Sequence, residues 1–252
     1  MITTKRAAKA VGKHISRAVL ALRAALGAKP VFQCSACGAG VVGFFRYGDC
    51  TDWGCPRCGA SPRERLMNYL VDSGRLPLTD GAILHMAPNE GTLVRRFGAA
   101  ASDYVPADLD PSRYTVAGAA RVDLMELADH GRFDLFYASH VMEHVPDDAA
   151  VLSNIFRALK PGGEAWLIVP LWEKPTEDGS YAMPPRERER RFGQWDHVRQ
   201  YGMDFVDRIA AAGFEVETIA ATGIDPAIRR RHALGDILFR ARKPATTSRG
   251  NG

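Results

Sequence analysis

"FDLFYASHVMEHVPDDAAVLSNIFRALKPGGEAWLIVP", Phe133 to Pro170, is the stretch on which the fold turns. It begins and ends in strand-like runs, "FDLFYAS" and "EAWLIVP". Between them Val151, Leu152, Ile155, Phe156 and Leu159 recur at helical spacing, which predicts a helix over about 148–160 with one apolar face. Pro161, Gly162 and Gly163 end that helix before the second, buried strand.

The same rhythm extends outward in both directions. From about residue 80, "AILHMA" and "DYVPAD" precede the stretch, and a helix at about 202–212 and two closing strands follow it. Strands alternating with helices predict an α/β fold, a doubly wound and mostly parallel sheet. Ligands in such sheets lie outside the carboxyl ends of the strands, so the residues that matter are those just after each strand. After the first strand comes "LHMAPNEG", Leu84 to Gly91, where nucleotide-binding folds place a glycine-rich loop. After the second comes Asp108, about 20 residues on, where a carboxylate accepts hydrogen bonds from ribose hydroxyls. Asp110, beside Pro111, reads as a turn residue. After the third, "RVDL" supplies Asp123, an acid placed to hold an adenine amino group.

With these residues in view, Phe133–Pro170 closely resembles the fourth strand, helix and fifth strand of class I S-adenosylmethionine-dependent methyltransferases. The resemblance covers roughly residues 80–243. It continues through "WDHVRQYGMDFVDRIAAAGFEV", Trp195 to Val216, which is similar to the branch that modifies small molecules and saccharide precursors. It implies a Rossmann-like sheet of seven strands with an antiparallel last strand. It also implies a cofactor pocket of His85, Ala87, Gly91, Asp108, Asp123, Leu124, Ala138 and Ser139, with His140 close to the transferred methyl as a candidate catalytic group. Against the family's acid and G-x-G-x-G run, this chain has His85 for the acid, Ala87 and Asn89 for the first two glycines, and Gly91 for the third. Alanine is the mildest replacement and asparagine tolerates a left-handed backbone, so the same turn is expected. The histidine is the larger departure, because it cannot accept hydrogen bonds as a carboxylate does.

The long segment Leu171–Tyr201, with Pro175, Pro184 and Pro185, reads as a lid or substrate-binding element. Its run "RERERR" reads as a solvated face. His197 is the leading general-base candidate, and Arg199 and Tyr201 are candidate acceptor-binding residues. The expected function is methyl transfer from S-adenosyl-L-methionine to a small-molecule acceptor, a sugar, nucleotide-sugar or related metabolite. Methylation of RNA is the enzymatic alternative, and a non-catalytic scaffold is the alternative of another class. His140, Glu143 and His144 also spell H-x-x-E-H, an inverted zinc-protease motif. That chemistry needs both histidines on one face of a regular helix, whereas here a strand precedes them and Pro146 follows closely.

Ahead of this domain, "CSACG" and "CPRCG" place Cys34, Cys37, Cys55 and Cys58 in a C-x2-C-x17-C-x2-C pattern. Two residues between cysteines let both thiolates reach one ion from a tight turn, which predicts a structural zinc site over 30–61, iron in a rubredoxin-like site being the alternative. Cys50 reads as a spare thiol. "SPRERLMNYLVDSG" is a capping box with Pro62 at the first helical position, predicting a connecting helix within 62–79. Its Arg63 and Arg65 read as solvated or as partners of an anionic substrate group. In residues 1–29, Ile15, Val19, Leu22 and Leu26 mark one face of a basic amphipathic helix, expected to dock on its own or a partner subunit, or to touch RNA or an anionic membrane.

Composition bounds these readings. The net charge is +4, and the first 30 residues carry seven Lys or Arg and no acid, so the remainder sums to −3. The body is therefore not a basic nucleic-acid binder. No apolar run is long enough for a transmembrane segment, "AVLALRAALGA" being broken by Arg23, and paired cysteines suit a reducing compartment, so a cytoplasmic protein is expected. Residues 244–252 are expected to be a disordered tail, and the oligomeric state is left open.

Overall fold

The structure is a computed structural model describing residues 2–245. The expected tail falls outside the described residues from 246 onward. The described residues form two compact units, one within 2–78, 90–96 and 220–236, the other within 79–89, 97–219 and 237–245.

The second unit carries the sheet. Its strands are β1 (Ala82–Met86), β2 (Asp103–Asp108), β3 (Ala120–Arg121), β4 (Phe133–Ser139), β5 (Leu159–Ile168), β6 (Glu215–Ala220) and β7 (Ile237–Arg242), in the spatial order β6-β7-β5-β4-β1-β2-β3. Pairings from β3 across to β5 are parallel, and β7 runs antiparallel to β5. This is the expected α/β, doubly wound Rossmann-like sheet of seven strands. Strand order reverses at β1, between β2 and β4, so the carboxyl ends of those strands open the crevice in which such sheets bind ligands. β1 is buried along its whole length and β4 nearly so, as central parallel strands covered on both faces must be.

The helix after β4 spans Asp148–Ala158 and ends sooner than the apolar spacing suggests. Leu159 already has extended dihedrals and opens β5, which takes in the Pro-Gly-Gly turn. A Cβ at Gly163 would lie 3.0–3.2 Å from three backbone carbonyl oxygens, those of Phe133, Asp134 and Lys160. A side chain there would require those carbonyls to give way, which favours glycine.

The first unit holds helix α1 (Ile2–Ala25), the cysteine module, α2 (Pro62–Asp72), the first residues of α3 (Gly91–Ala100) and α7 (Pro226–His232), the intervening α4 (Asp148–Ala158), α5 (Pro185–Phe192) and α6 (Phe205–Ala211) belonging to the other unit. α1 does not dock by the face its spacing marks. Ile15 and Leu22 are each 60% exposed and Leu26 more so, while Leu20, at 7%, packs with Val42 and Phe45. Lys13 and Arg17 lie over the Phe45 ring, and Arg17 Nη2 donates to the Pro56 carbonyl. No helix among the described residues is long and apolar enough to cross a membrane.

At the start of α2 the Ser61 hydroxyl accepts from the Glu64 amide, but the reciprocal half of the capping box is missing. Glu64 is buried and its carboxylate instead receives the amide and hydroxyl of Thr92. Burial pushes the Glu64 carboxyl above its ordinary value. Arg65 departs further from expectation, since it is neither solvated nor available to a substrate. It is fully buried, donates to the carbonyls of Asp52, Trp53, Ala60, His232 and Ala233, and stacks 3.9 Å from the centroid of the Phe44 ring. Burial lowers its pKa to about 10.

Candidate functional site

The carboxyl ends of β1, β2 and β4 open on one cavity of about 550 Å³ within the second unit. From β1 it is lined by Met86, Ala87 and Asn89, from β2 by Asp108, and from the segment after β3 by Asp123, Leu124 and Met125. His140, His144 and Pro146 follow β4, and Tyr181, Gln194 and Asp196 come from the long segment after β5.

Backbone strain sits at the two strand ends that meet here. Ala87 (φ +49°) and His140 (φ +56°) both occupy the left-handed region, which costs a non-glycine residue about 1–3 kcal/mol. Each is pinned by its own amide, Ala87 to the Ala107 carbonyl and His140 to that of Ile168, both at 2.8 Å. The turn read from "LHMAPNEG" is therefore made with alanine in the conformation glycine would favour.

Asp108 is half-buried, its Oδ1 accepting from the Asp110 amide at 2.8 Å and its Oδ2 from the Tyr114 hydroxyl at 2.9 Å. Asp123 caps the short 3-10 turn Leu124–Glu126 by accepting from the Met125 amide. His85 is placed elsewhere than the resemblance implies. It lies inside β1 with no exposed surface, its Nδ1 2.9 Å from the Tyr104 hydroxyl, edge-on to Phe97 and Tyr137. Ala138 and Ser139 are buried at the end of β4 and do not line the cavity, and Gly91 opens α3 in the first unit.

The long segment forms a small ribbon, Glu177–Asp178 against Arg199–Gln200, and the helix α5. Not all of "RERERR" is solvated. Arg188 is buried, donating to the carbonyls of Trp195 and Tyr181 and lying over the Tyr181 ring. Arg199 is also buried. It donates to the carbonyls of Met142, Val145 and Pro146 and to Asp178, bracing the turn after β4. The Tyr201 hydroxyl donates to Asp148 at 2.9 Å from a fully buried position. Neither Arg199 nor Tyr201 lines the cavity.

His197 lies behind the cavity wall, 3% exposed, its Nδ1 2.9 Å from the Phe192 carbonyl and its ring edge-on to His144. Burial lowers its pKa below the ordinary value. Beside it, Glu143 has no exposed surface, with His140 Nδ1 3.3 Å and His197 Nε2 3.9 Å from Oε1. Burial alone would raise the Glu143 carboxyl, but the adjacent His140 and His144 outweigh it and hold the carboxyl below its ordinary value. Met142–His144 is a single 3-10 turn, so the two histidines of H-x-x-E-H do not share a helix face. Glu143, Tyr181, Asp196 and Tyr114 are contributors that spacing alone did not single out. Only Glu143 carried a signal, its place in that motif.

In the first unit the four paired cysteines converge, their sulfurs within 4.8 Å of one another. Cys34 and Cys58 sulfurs are 3.7 Å apart and those of Cys37 and Cys55 3.9 Å. Tetrahedral ligands about 2.3 Å from one ion stand about 3.8 Å apart, so the set fits a four-thiolate ion. The two knuckles repeat one design: Gly38 and Gly59, both left-handed, donate to Cys34 and Cys55 carbonyls at 2.8 Å. Hydrogen bonding to Cys55 pushes Cys34 up to about 12, while donation from Cys34 lowers Cys55 to about 2. Cys50 is exposed and outside the cluster.

A family model described as "Methyltransferase domain" matches residues 63–219. Among solved structures, a chain of the complex between the Haloferax volcanii Trm112 methyltransferase activator and a methyltransferase is similar at 17% identity and a TM-score of 0.50, over 70% of this chain and 92% of that one. An S-adenosylmethionine-dependent methyltransferase from Mesorhizobium loti is similar at 20% identity and a TM-score of 0.49, over 68% and 94%. No curated protein matches.

Proposed function

The chain belongs to the methyltransferase-domain family, and from that premise we propose that it transfers a methyl group from S-adenosylmethionine to a small-molecule acceptor, a sugar, nucleotide-sugar or related metabolite. One observation carries this reading: two carboxylates, Asp108 and Asp123, and two strained strand ends, Ala87 and His140, share one cavity at the switch point of the sheet. Asp108 would take the ribose hydroxyls, Asp123 and Leu124 the adenine, and Met86, Ala87 and Asn89 the amino-acid end. The cofactor supplies a methyl already activated on a positive sulfur. What remains for the protein is to align the acceptor, exclude water and take up a proton.

His140 stands on the cavity wall and His197 does not, so His140 is the group that takes the proton, with Glu143 behind it. Methylation of RNA rests on the basic exposed face of α1, as does contact with an anionic membrane, while the −3 body favours a small acceptor. In the first unit, Cys34, Cys37, Cys55 and Cys58 hold a structural zinc ion in this reading.

Calorimetry with S-adenosylhomocysteine tests the proposal. Binding in the micromolar range, weakened about tenfold or more by Asp108→Ala, is the expected result. A folded protein that binds none is a scaffold.

A further inference from the structure

Three side chains from two distant stretches of the chain turn donor atoms toward one point beside the cavity. Glu143, His144 and His197 each offer an atom, all within 4.8 Å of one another. Glu143 is fully buried; His140 Nδ1 stands 3.3 Å from Oε1, and Oε2 has no hydrogen-bond partner among the described residues. A buried carboxylate left this way is costly unless something positive is held against it.

The histidines are arranged to supply lone pairs rather than protons. His197 Nδ1 donates to the Phe192 carbonyl at 2.9 Å, which leaves the lone pair on Nε2. That atom is buried, has no hydrogen-bond partner among the described residues, and lies 3.9 Å from Glu143 Oε1. His144 repeats the device, its Nδ1 3.2 Å from the Asp196 carbonyl. The His197 lone pair and the Glu143 carboxylate cannot satisfy each other, because neither carries a hydrogen into the space between them. A ring N–H anchored on a carbonyl at the far side is the support that metal-bound histidines ordinarily have. Ligand bonds of about 2.0–2.2 Å fit across the 3.9 Å gap.

We propose that Glu143, His144 and His197 bind a divalent transition-metal ion, distinct from the ion of the four-cysteine cluster. Two imidazoles and one carboxylate suit zinc, manganese or iron(II) better than magnesium or calcium. The histidine pair of a zinc protease, His140 with His144, is not the pair used. His140 stands at the edge of the cluster, and the second imidazole comes from the long segment after β5. His144 lines the cavity, so the ion is reached from there. A methyl acceptor in that cavity would meet the ion through an oxygen atom; this last step rests on the methyltransferase reading, and the ion site does not.

The test uses the full chain carrying one zinc ion per molecule, titrated with Mn²⁺ while the electron paramagnetic resonance signal of the free ion is followed. One Mn²⁺ bound per chain is expected. His144→Gln, at a half-buried position on the cavity wall, should weaken it about tenfold or more, and His197→Asn and Glu143→Gln should abolish it. S-adenosylhomocysteine calorimetry on the same samples reports whether each variant keeps its fold. A wild-type chain that binds S-adenosylhomocysteine but no Mn²⁺ overturns the site, as does equal Mn²⁺ binding by wild type and His144→Gln. Mn²⁺ uptake without S-adenosylhomocysteine binding supports the ion site and overturns the cofactor reading alone.

Discussion

Arg65 shows how far a single side chain can depart from what its type suggests. The sequence places it on the first turns of an exposed-looking helix among other charges, yet all its donors are spent on backbone carbonyls in the interior. Truncation would leave several buried carbonyls without partners, and lysine lacks the planar fork that reaches them. Arg65→Ala is expected to cost about 3–5 kcal/mol in urea denaturation, and Arg65→Lys to recover less than half of that. Ala87 works in the opposite direction. Its left-handed backbone is what a glycine tolerates freely, so Ala87→Gly should leave stability unchanged or raise it by about 0.5–1 kcal/mol, with S-adenosylhomocysteine binding retained. Loss of stability in Ala87→Gly would mean the backbone is not strained there.

At the scale of elements, the N-terminal helix reverses its apparent polarity. A stripe of Ile15, Val19, Leu22 and Leu26 is what periodicity selects, but packing uses Leu20, with the charged ends of Lys13 and Arg17 over the Phe45 ring. Leu20→Ala should therefore cost about 2–3 kcal/mol, while Ile15→Ser together with Leu22→Ser should leave the melting temperature within a degree or two. Helix α7 ends in His232, whose Nδ1 donates to the Gln33 carbonyl at 2.8 Å. Burial lowers its pKa below the ordinary 6.5. The unfolded chain then binds the proton first, so stability falls as pH drops through about 6.5 and is level above it. Urea midpoints between pH 8 and 5.5 should show this slope. His232→Gln should reduce it without removing it, because His197 is shifted in the same direction.

At the scale of the molecule, the two units divide the chemistry. The clustered cysteines and the buried Arg65 belong to one, the cavity to the other. If the four cysteines hold an ion as proposed, its removal by a chelator should cost the first unit its native near-ultraviolet circular dichroism while much of the sheet's far-ultraviolet signal persists. Simultaneous loss of both signals would show that the sheet cannot stand without the thiol cluster.

Much of this was legible in residue order alone. Alternating apolar runs specify the parallel sheet, because each central strand must be apolar on both faces and each helix on one. Paired cysteines with a following glycine specify the knuckles, because their geometry is local and closes within six residues. That Asp108 and Asp123 line the cavity was readable from their positions at or just past strand ends. What the tertiary structure alone decided is which polar side chains face inward. His85 turned into an aromatic core, Arg199 and Tyr201 became braces for the turn after β4, and His197 came to rest against Glu143, more than 50 residues away. A contact between residues so far apart has no period or spacing to betray it. It depends on how the segment after β5 folds back over the strand ends, and that is fixed by packing.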